Sequence, residues 1–233
     1  MKATNRISIA VFLLTCAGCQ QSMVELETDL RPAKHDRTQK PRRKSGEPFL
    51  VPQGTRLLSR GVEVTSSDME PIIGELKLVT DGNKETPDEL YFVELMPGLQ
   101  WVQLDLGKPY ALYAILVWHY YLPGPDDYRP QGESNFLAHV YEDVVVQISN
   151  DPAFKKDVTT VFNNDHDNSA GLGKGKDDTY LETSEGRWIN PKGVEGRYVR
   201  LYSRGHKVAW SGEPVRGGGT ELNRYIEVEV YGK

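Results

Sequence analysis

The chain has 233 residues, 38% hydrophobic and 26% charged, with a net charge of −5 and only two cysteines. This length suits one domain of ordinary size with extensions and excludes two large ones. Both cysteines, Cys16 and Cys19, lie near the start, which excludes an internal disulfide or a cysteine-based zinc site in the body of the protein.

Met1–Arg6 carries Lys2 and Arg6, Ile7–Leu14 is a short apolar run, and Cys16-Ala17-Gly18-Cys19 follows. This is the layout of a secretory signal, with an apolar run too short to cross a membrane as a helix. It resembles a bacterial lipoprotein signal in which residues 1–18 are removed and Cys19 becomes the lipidated N-terminus. Cys16 is the poorer choice because Thr15 would sit at its cut site; ordinary secretion is the other reading. Two acyl chains would hold the protein at a membrane without a spanning helix. Gln20 fits outer-membrane sorting, so the expected location is extracytoplasmic, on the outer membrane or cell surface.

Residues 19–48 have little to bury and contain the basic run Lys40-Pro-Arg-Arg-Lys44; they read as a disordered tether. The domain expected over 49–233 then holds 19 basic against 28 acidic side chains. That balance argues against binding a nucleic-acid backbone.

Within the domain, Val62 and Val64 alternate with polar neighbours as a strand, and Asp81-Gly82-Asn83 is a turn by composition. In Trp101–Leu106 the apolar Val102, Leu104 and Leu106 alternate with Gln103 and Asp105, the period of a strand with one buried face. Gly107-Lys108-Pro109 breaks the run, and Tyr110–Trp118 resumes as an almost wholly apolar stretch suited to a strand covered on both faces. A long polar and aromatic connection runs from His119 to about Asp143, ahead of a strand at Val144–Ser149. Asn163–Lys176 reads as loop. Arg197–Tyr202 alternates with Val199 and Leu201 inward and both arginines outward, and Tyr225–Tyr231 alternates with Ile226, Val228 and Val230 inward. No long helical period appears, so the fold class is all-β, an antiparallel sandwich or jelly roll.

Five of these pieces stand in the order of one family. Leu58–Ser67, Asp81-Gly82-Asn83, Trp101–Gly107, Arg197–Tyr202 and Ile226–Gly232 resemble successive motifs of the coagulation factor 5/8 type C (discoidin, galactose-binding-like) domains, and the resemblance spans about 57–232. It implies a galactose-binding-like β-sandwich jelly roll that binds a ligand through loops at one end and does not catalyse. It also implies a structural calcium held at Asp81, Asn83, Thr86 and Glu227, in keeping with a hard cation's need for several oxygens; a plain turn at Asp81-Gly82 is the alternative. Asp165, Asp167 and Asn168 allow a second calcium or simply a loop stabilised by its own side chains.

The aromatic and polar residues His119, Tyr120, Tyr121, Tyr128 and Arg129, with His206 and Trp210 from a later loop, suit sugar recognition, in which rings stack on C–H faces and polar groups take hydroxyls. Packing of these rings over the sandwich edge is the bland alternative. No His-Glu-x-x-His, Gly-x-Ser-x-Gly or marked acid pair is present, so an enzyme is not expected. The expected partner is a glycan or cell-surface polysaccharide. The alternatives are a protein adaptor in an envelope complex and, third, a glycoside hydrolase or its accessory.

Overall fold

The computed structural model describes residues 22–26, 49–84, 91–120, 137–182, 185–210 and 219–233, with the main chain alone at 137, 138, 181 and 208–210. Among these residues there is no α-helix, and a 3-10 helix spans Leu76–Thr80. The strands are β1 Met23–Glu25, β2 Leu50–Pro52, β3 Arg56–Leu57, β4 Glu63–Ser66, β5 Val93–Pro97, β6 Gln100–His119, β7 Leu137–Tyr141 and β8 Val145–Ser149. They continue as β9 Thr159–Asn163, β10 Tyr180–Leu181, β11 Arg187–Ile189, β12 Val194–Ser203, β13 His206–Trp210, β14 Gly219–Thr220 and β15 Leu222–Gly232.

The fold is an antiparallel β-sandwich organised by β6. Its first half lies between β4 and β12, with β8 and β9 beyond, and forms the front sheet. Its second half pairs with β15 and β11 in the back sheet, where β5 and β3 also join β15. The strand changes sheets at the predicted break. Opposite it, Gly196 pairs with Tyr110 and Tyr198 with Asp105, so Leu106–Pro109 bulge out against Arg197. Gly107, at φ 83°, supplies the left-handed backbone of that corner.

Val102, Leu104 and Leu201 of the front sheet meet Ile115, Val117 and Val228 of the back sheet in one core. The other face of the back sheet is also covered, as the apolar Tyr110–Trp118 run predicts. Ala114, Leu116 and Trp118 lie under Leu26 and Val51, with Val24 and Phe49 packed alongside. This cover corrects the reading of 19–48 as tether throughout. β1 pairs with β2, from Met23↔Pro52 to Glu25↔Leu50, and Val24 and Leu26 supply apolar cover to the apolar outer face of the back sheet.

One inward assignment also changes. A register shift between Tyr225 and Glu227 turns Ile226 to the outer face, while Val228 and Val230 stay inside. Arg200 does point away from the core, yet it is 9% exposed, its guanidinium lying 4.2 Å from the Trp101 ring centre and 4.1 Å from that of Phe154.

At the end of the sandwich opposite Gly107 the connections are drawn together by Asn223, which is buried. Its Nδ2 donates to the carbonyls of Met96 and Gly98 at 2.9 and 2.8 Å, and its Oδ1 accepts from Ser203 Oγ and Gly205 N–H. A small second sheet, in the order β10-β7-β13-β14, lies at this end.

Candidate functional site

The site is built where the small sheet meets this loop end. His206 and Trp210, expected in a loop, begin and end β13, which pairs with β7 from Lys207↔Val140 to Trp210↔Leu137. The connection after His119 thus contains a strand, and its pairing places His206 over His139, ring centres 4.0 Å apart and stacked. His139 continues to Tyr120 at 5.8 Å, His206 to Tyr141 at 5.6 Å, and Tyr141 stacks on His119 at 4.3 Å.

The structure therefore brings His119, Tyr120 and His206 into one aromatic pile. His119 is fully buried. Glu182 Oε2 accepts its main-chain N–H at 3.2 Å and lies 3.3 Å from its Nδ1, and Tyr180 Oη is 3.2 Å from the same nitrogen. Tyr120 packs on Phe92, and its carbonyl accepts from Tyr141 Oη at 2.8 Å. Among the expected ligand contacts whose side chains are described, His206 is the one placed on a cleft. Tyr121, Tyr128 and Arg129 lie outside the described residues, and Trp210 is described in its main chain alone.

Burial dominates the electrostatics of the pile. It pushes the His206 imidazole down to about 3, helped by His139, Arg224 and His119, and it lowers His139 against the Tyr120 carbonyl. Both rings are neutral at pH 7. Arg224 is held by Glu94, Nε to Oε2 2.6 Å, and lies 5.3 Å over the Tyr120 ring.

The cleft has a volume of about 430 Å³ and is bordered by Glu142, Asp143, Arg204, Lys207, Thr220 and Glu221, with His206 in its wall. These groups come from three junctions: β7–β8, and the β12–β13 and β14–β15 junctions, which Asn223 links through Ser203, Gly205 and the Glu221 carbonyl. Lys207 is ion-paired with Glu142, and Arg204 lies 4.0 Å from Glu221. Sequence reasoning missed these residues. The only signal was their position, charged groups at the ends of strands that converge on one edge.

Asp143, Asp165 and Asp167 each place a carboxylate oxygen within 4.8 Å of the others. Burial and the two neighbouring carboxylates raise Asp143. The buried Asp165 already accepts the main-chain N–H groups of Ser169 and Ala170 at 2.9 and 2.8 Å, so this loop is tied by its own side chains.

The expected calcium ligands meet at a different place, the edge of the back sheet. Glu227 is buried, and its Oε2 accepts the Gly82 N–H at 2.9 Å, while Asp81 Oδ1 accepts the Asn83 N–H at 2.8 Å. Burial pushes Glu227 up to about 8, reinforced by Glu229 and Asp81 and opposed by the Gly82 N–H and Arg60. Carboxylate oxygens under a glycine turn suit a hard cation. Two basic groups reach the neighbouring Glu229: Lys84 Nζ lies 2.7 Å from its Oε1 and Arg60 3.9 Å. Thr86 lies outside the described residues.

No protein-family model matches the chain, and no curated protein does. Among solved structures, a family 89 glycoside hydrolase from Clostridium perfringens in complex with PUGNAc is 18% identical with a TM-score of 0.46, the match covering 76% of this chain and 14% of that one. The chain thus spans a small fraction of that enzyme. A fucose-binding module from Streptococcus pneumoniae is 18% identical at TM-score 0.43, covering 76% and 98%. A chitosan-binding module 1 from a chitosanase/glucanase of Paenibacillus sp. IK-5 is 19% identical at TM-score 0.42, covering 76% and 99%. At these values nothing about a ligand passes from those proteins to this chain.

Proposed function

We propose that this protein is a lipid-anchored, extracytoplasmic carbohydrate-binding module of the factor 5/8 type C kind, and that its sugar site is the cleft between Glu142 and Glu221. The observation that carries this reading is the lining. Three carboxylates, two cations and a threonine converge on a space of about 430 Å³, the size range of small-ligand sites. Carboxylates accept from sugar hydroxyls, Arg204 and Lys207 donate to their oxygens, and Thr220 does either. The buried His206–His139 stack fixes the wall, so little ordering remains to be done on binding.

A glycan-array screen of the protein from Gln20 onward tests this. Specific binding is expected, and Arg204→Ala or Glu221→Ala should each weaken it about tenfold or more, the loss of one charge-assisted hydrogen bond. Binding that survives both substitutions unchanged would move the site elsewhere.

The adaptor reading is favoured by a separate feature. Met69, Ile72 and Met96 are 90%, 50% and 49% exposed. They are brought together as Asp68 Oδ2 accepts the Met96 N–H and the Glu94 carbonyl accepts that of Ile72. A blank array, together with a protein captured from envelope extract by the native chain and not by Met69→Ser with Met96→Ser, would select it.

We also propose calcium at Asp81, Asn83 and Glu227, with Thr86 completing the set; the ion would stiffen this loop. Calcium should raise the melting temperature by about 5 °C or more, and chelator should reverse it. Asp81→Ala should abolish the response. No response in the native chain would mean that Arg60 and Lys84 alone neutralise the acids.

A further inference from the structure

The ladder of β1 and β2 extends beyond its strands. Gln53 N–H donates to the Ser22 carbonyl at 2.8 Å, and Leu26 N–H to that of Phe49 at 2.9 Å. Leu26 and Val51 are buried on the back sheet, and Phe49 packs on Trp188, ring centres 4.9 Å apart. Ser22 therefore belongs to the folded domain. Only Gln20 and Gln21 separate it from Cys19, so the two Cα atoms cannot be more than about 11 Å apart whatever path the chain takes. Were the domain to begin at Phe49 on a free tether, the corresponding root-mean-square distance would be about 30 Å.

We infer that β1 is a clamp that seats the sandwich directly on the membrane holding Cys19, with the Ser22–Gln53 end of the ladder at the lipid head groups. Residues 27–48 have both ends fixed to the domain, so their length adds nothing to the distance from the bilayer. The inference rests on the lipid-anchor reading of Cys19. It goes beyond that reading in naming the face that meets the membrane and the segment that sets the spacing.

The test uses the full lipoprotein with its acyl chains, reconstituted in vesicles that carry a head-group-labelled lipid as energy-transfer acceptor. Gln53, which is exposed, is replaced (Gln53→Cys) and labelled with the donor; with Cys16 removed in the signal and Cys19 acylated, this is the free thiol. A Gly/Ser insert of about ten residues is placed either between Gln20 and Gln21 or between Asp36 and Arg37. The clamp predicts a marked loss of transfer for the first insert and none for the second. Val24→Asp with Leu26→Asp, which opens the ladder, should lower transfer and make it sensitive to the second insert. Equal loss for both inserts in the otherwise native chain would overturn the clamp while leaving the anchor standing. A Cys19 without acyl groups by mass spectrometry would overturn the anchor reading and the seating with it.

Discussion

On lowering the pH from 7 to 4, His206 is expected to cost the domain on the order of 3 kcal/mol relative to a chain without this imidazole. In an unfolded chain an imidazole titrates near 6.5; in the fold His206 is pushed down to about 3 by burial, with His139, Arg224 and His119 adding to it. Between those two values the unfolded chain binds the proton that the native chain refuses. Stability from this group is therefore complete above about pH 6.5 and is lost as pH falls toward 3. His139, lowered chiefly by burial, acts with the same sign. Glu227 acts with the opposite sign, since a carboxyl raised to about 8 contributes stability at low pH that fades as pH rises through that value. The measurement is urea unfolding at stepped pH for the native chain and for His206→Phe, which keeps a ring between His139 and Tyr141 and removes the proton. Between about pH 6.5 and 4 the native midpoint should fall relative to the variant's, the difference isolating His206 from the opposing contribution of Glu227 that both chains share. Parallel curves would show that His206 is solvated and titrates normally.

The second large effect is expected at Arg200. This guanidinium is buried on the outer face of the front sheet without a carboxylate among its described contacts. It donates through Nε and Nη2 to Gln103 Oε1 at 2.9 and 2.6 Å, through Nη2 to the Pro152 carbonyl at 3.0 Å, and lies between Trp101 and Phe154. Arg200→Met should cost about 3 kcal/mol, because Gln103, itself buried, keeps a carbonyl oxygen with nothing to accept from. Arg200→Lys should recover little, since an ammonium cannot place two donors on one oxygen while filling the slot between two rings. Arg200→Met combined with Gln103→Leu should be more stable than Arg200→Met alone, as the orphaned acceptor is gone. A loss below about 0.5 kcal/mol for the single change would mean that the site is open to water.

Arg200 also shows where the sequence stops being informative. In Arg197–Tyr202 the alternation correctly directs Val199 and Leu201 to the core and both arginines away from it. It cannot say that Trp101 and Phe154, remote in sequence, will close over Arg200 while Arg197 stays partly exposed beside Asp105. The same holds at Ile226, where one bulge reverses a side that the period of two assigns, and at Val24 and Leu26, two apolar groups whose partner face is formed by β6 and β15. The two-sided burial of Tyr110–Trp118 was readable; which segment supplied the second side was not. At the candidate site, composition drew attention to aromatic residues, and the structure uses His119 and Tyr120 as support. The cleft itself is made of Glu142, Asp143, Arg204, Lys207, Thr220 and Glu221, ordinary turn and strand-end residues brought to one edge by the pairing of β13 with β7 and β14.

The place of β15 has a consequence for the order of events during synthesis. The last strand of the described fold lies between β6 on one side and β3 and β5 on the other, so Leu57 finds Tyr231 and Val93 finds Tyr225 only after nearly the whole chain is available. A nascent chain short of Leu222 has a back sheet with its central rung missing. Such non-local closure is slow and comes late, so the back sheet cannot be completed before the C-terminal strand has been made.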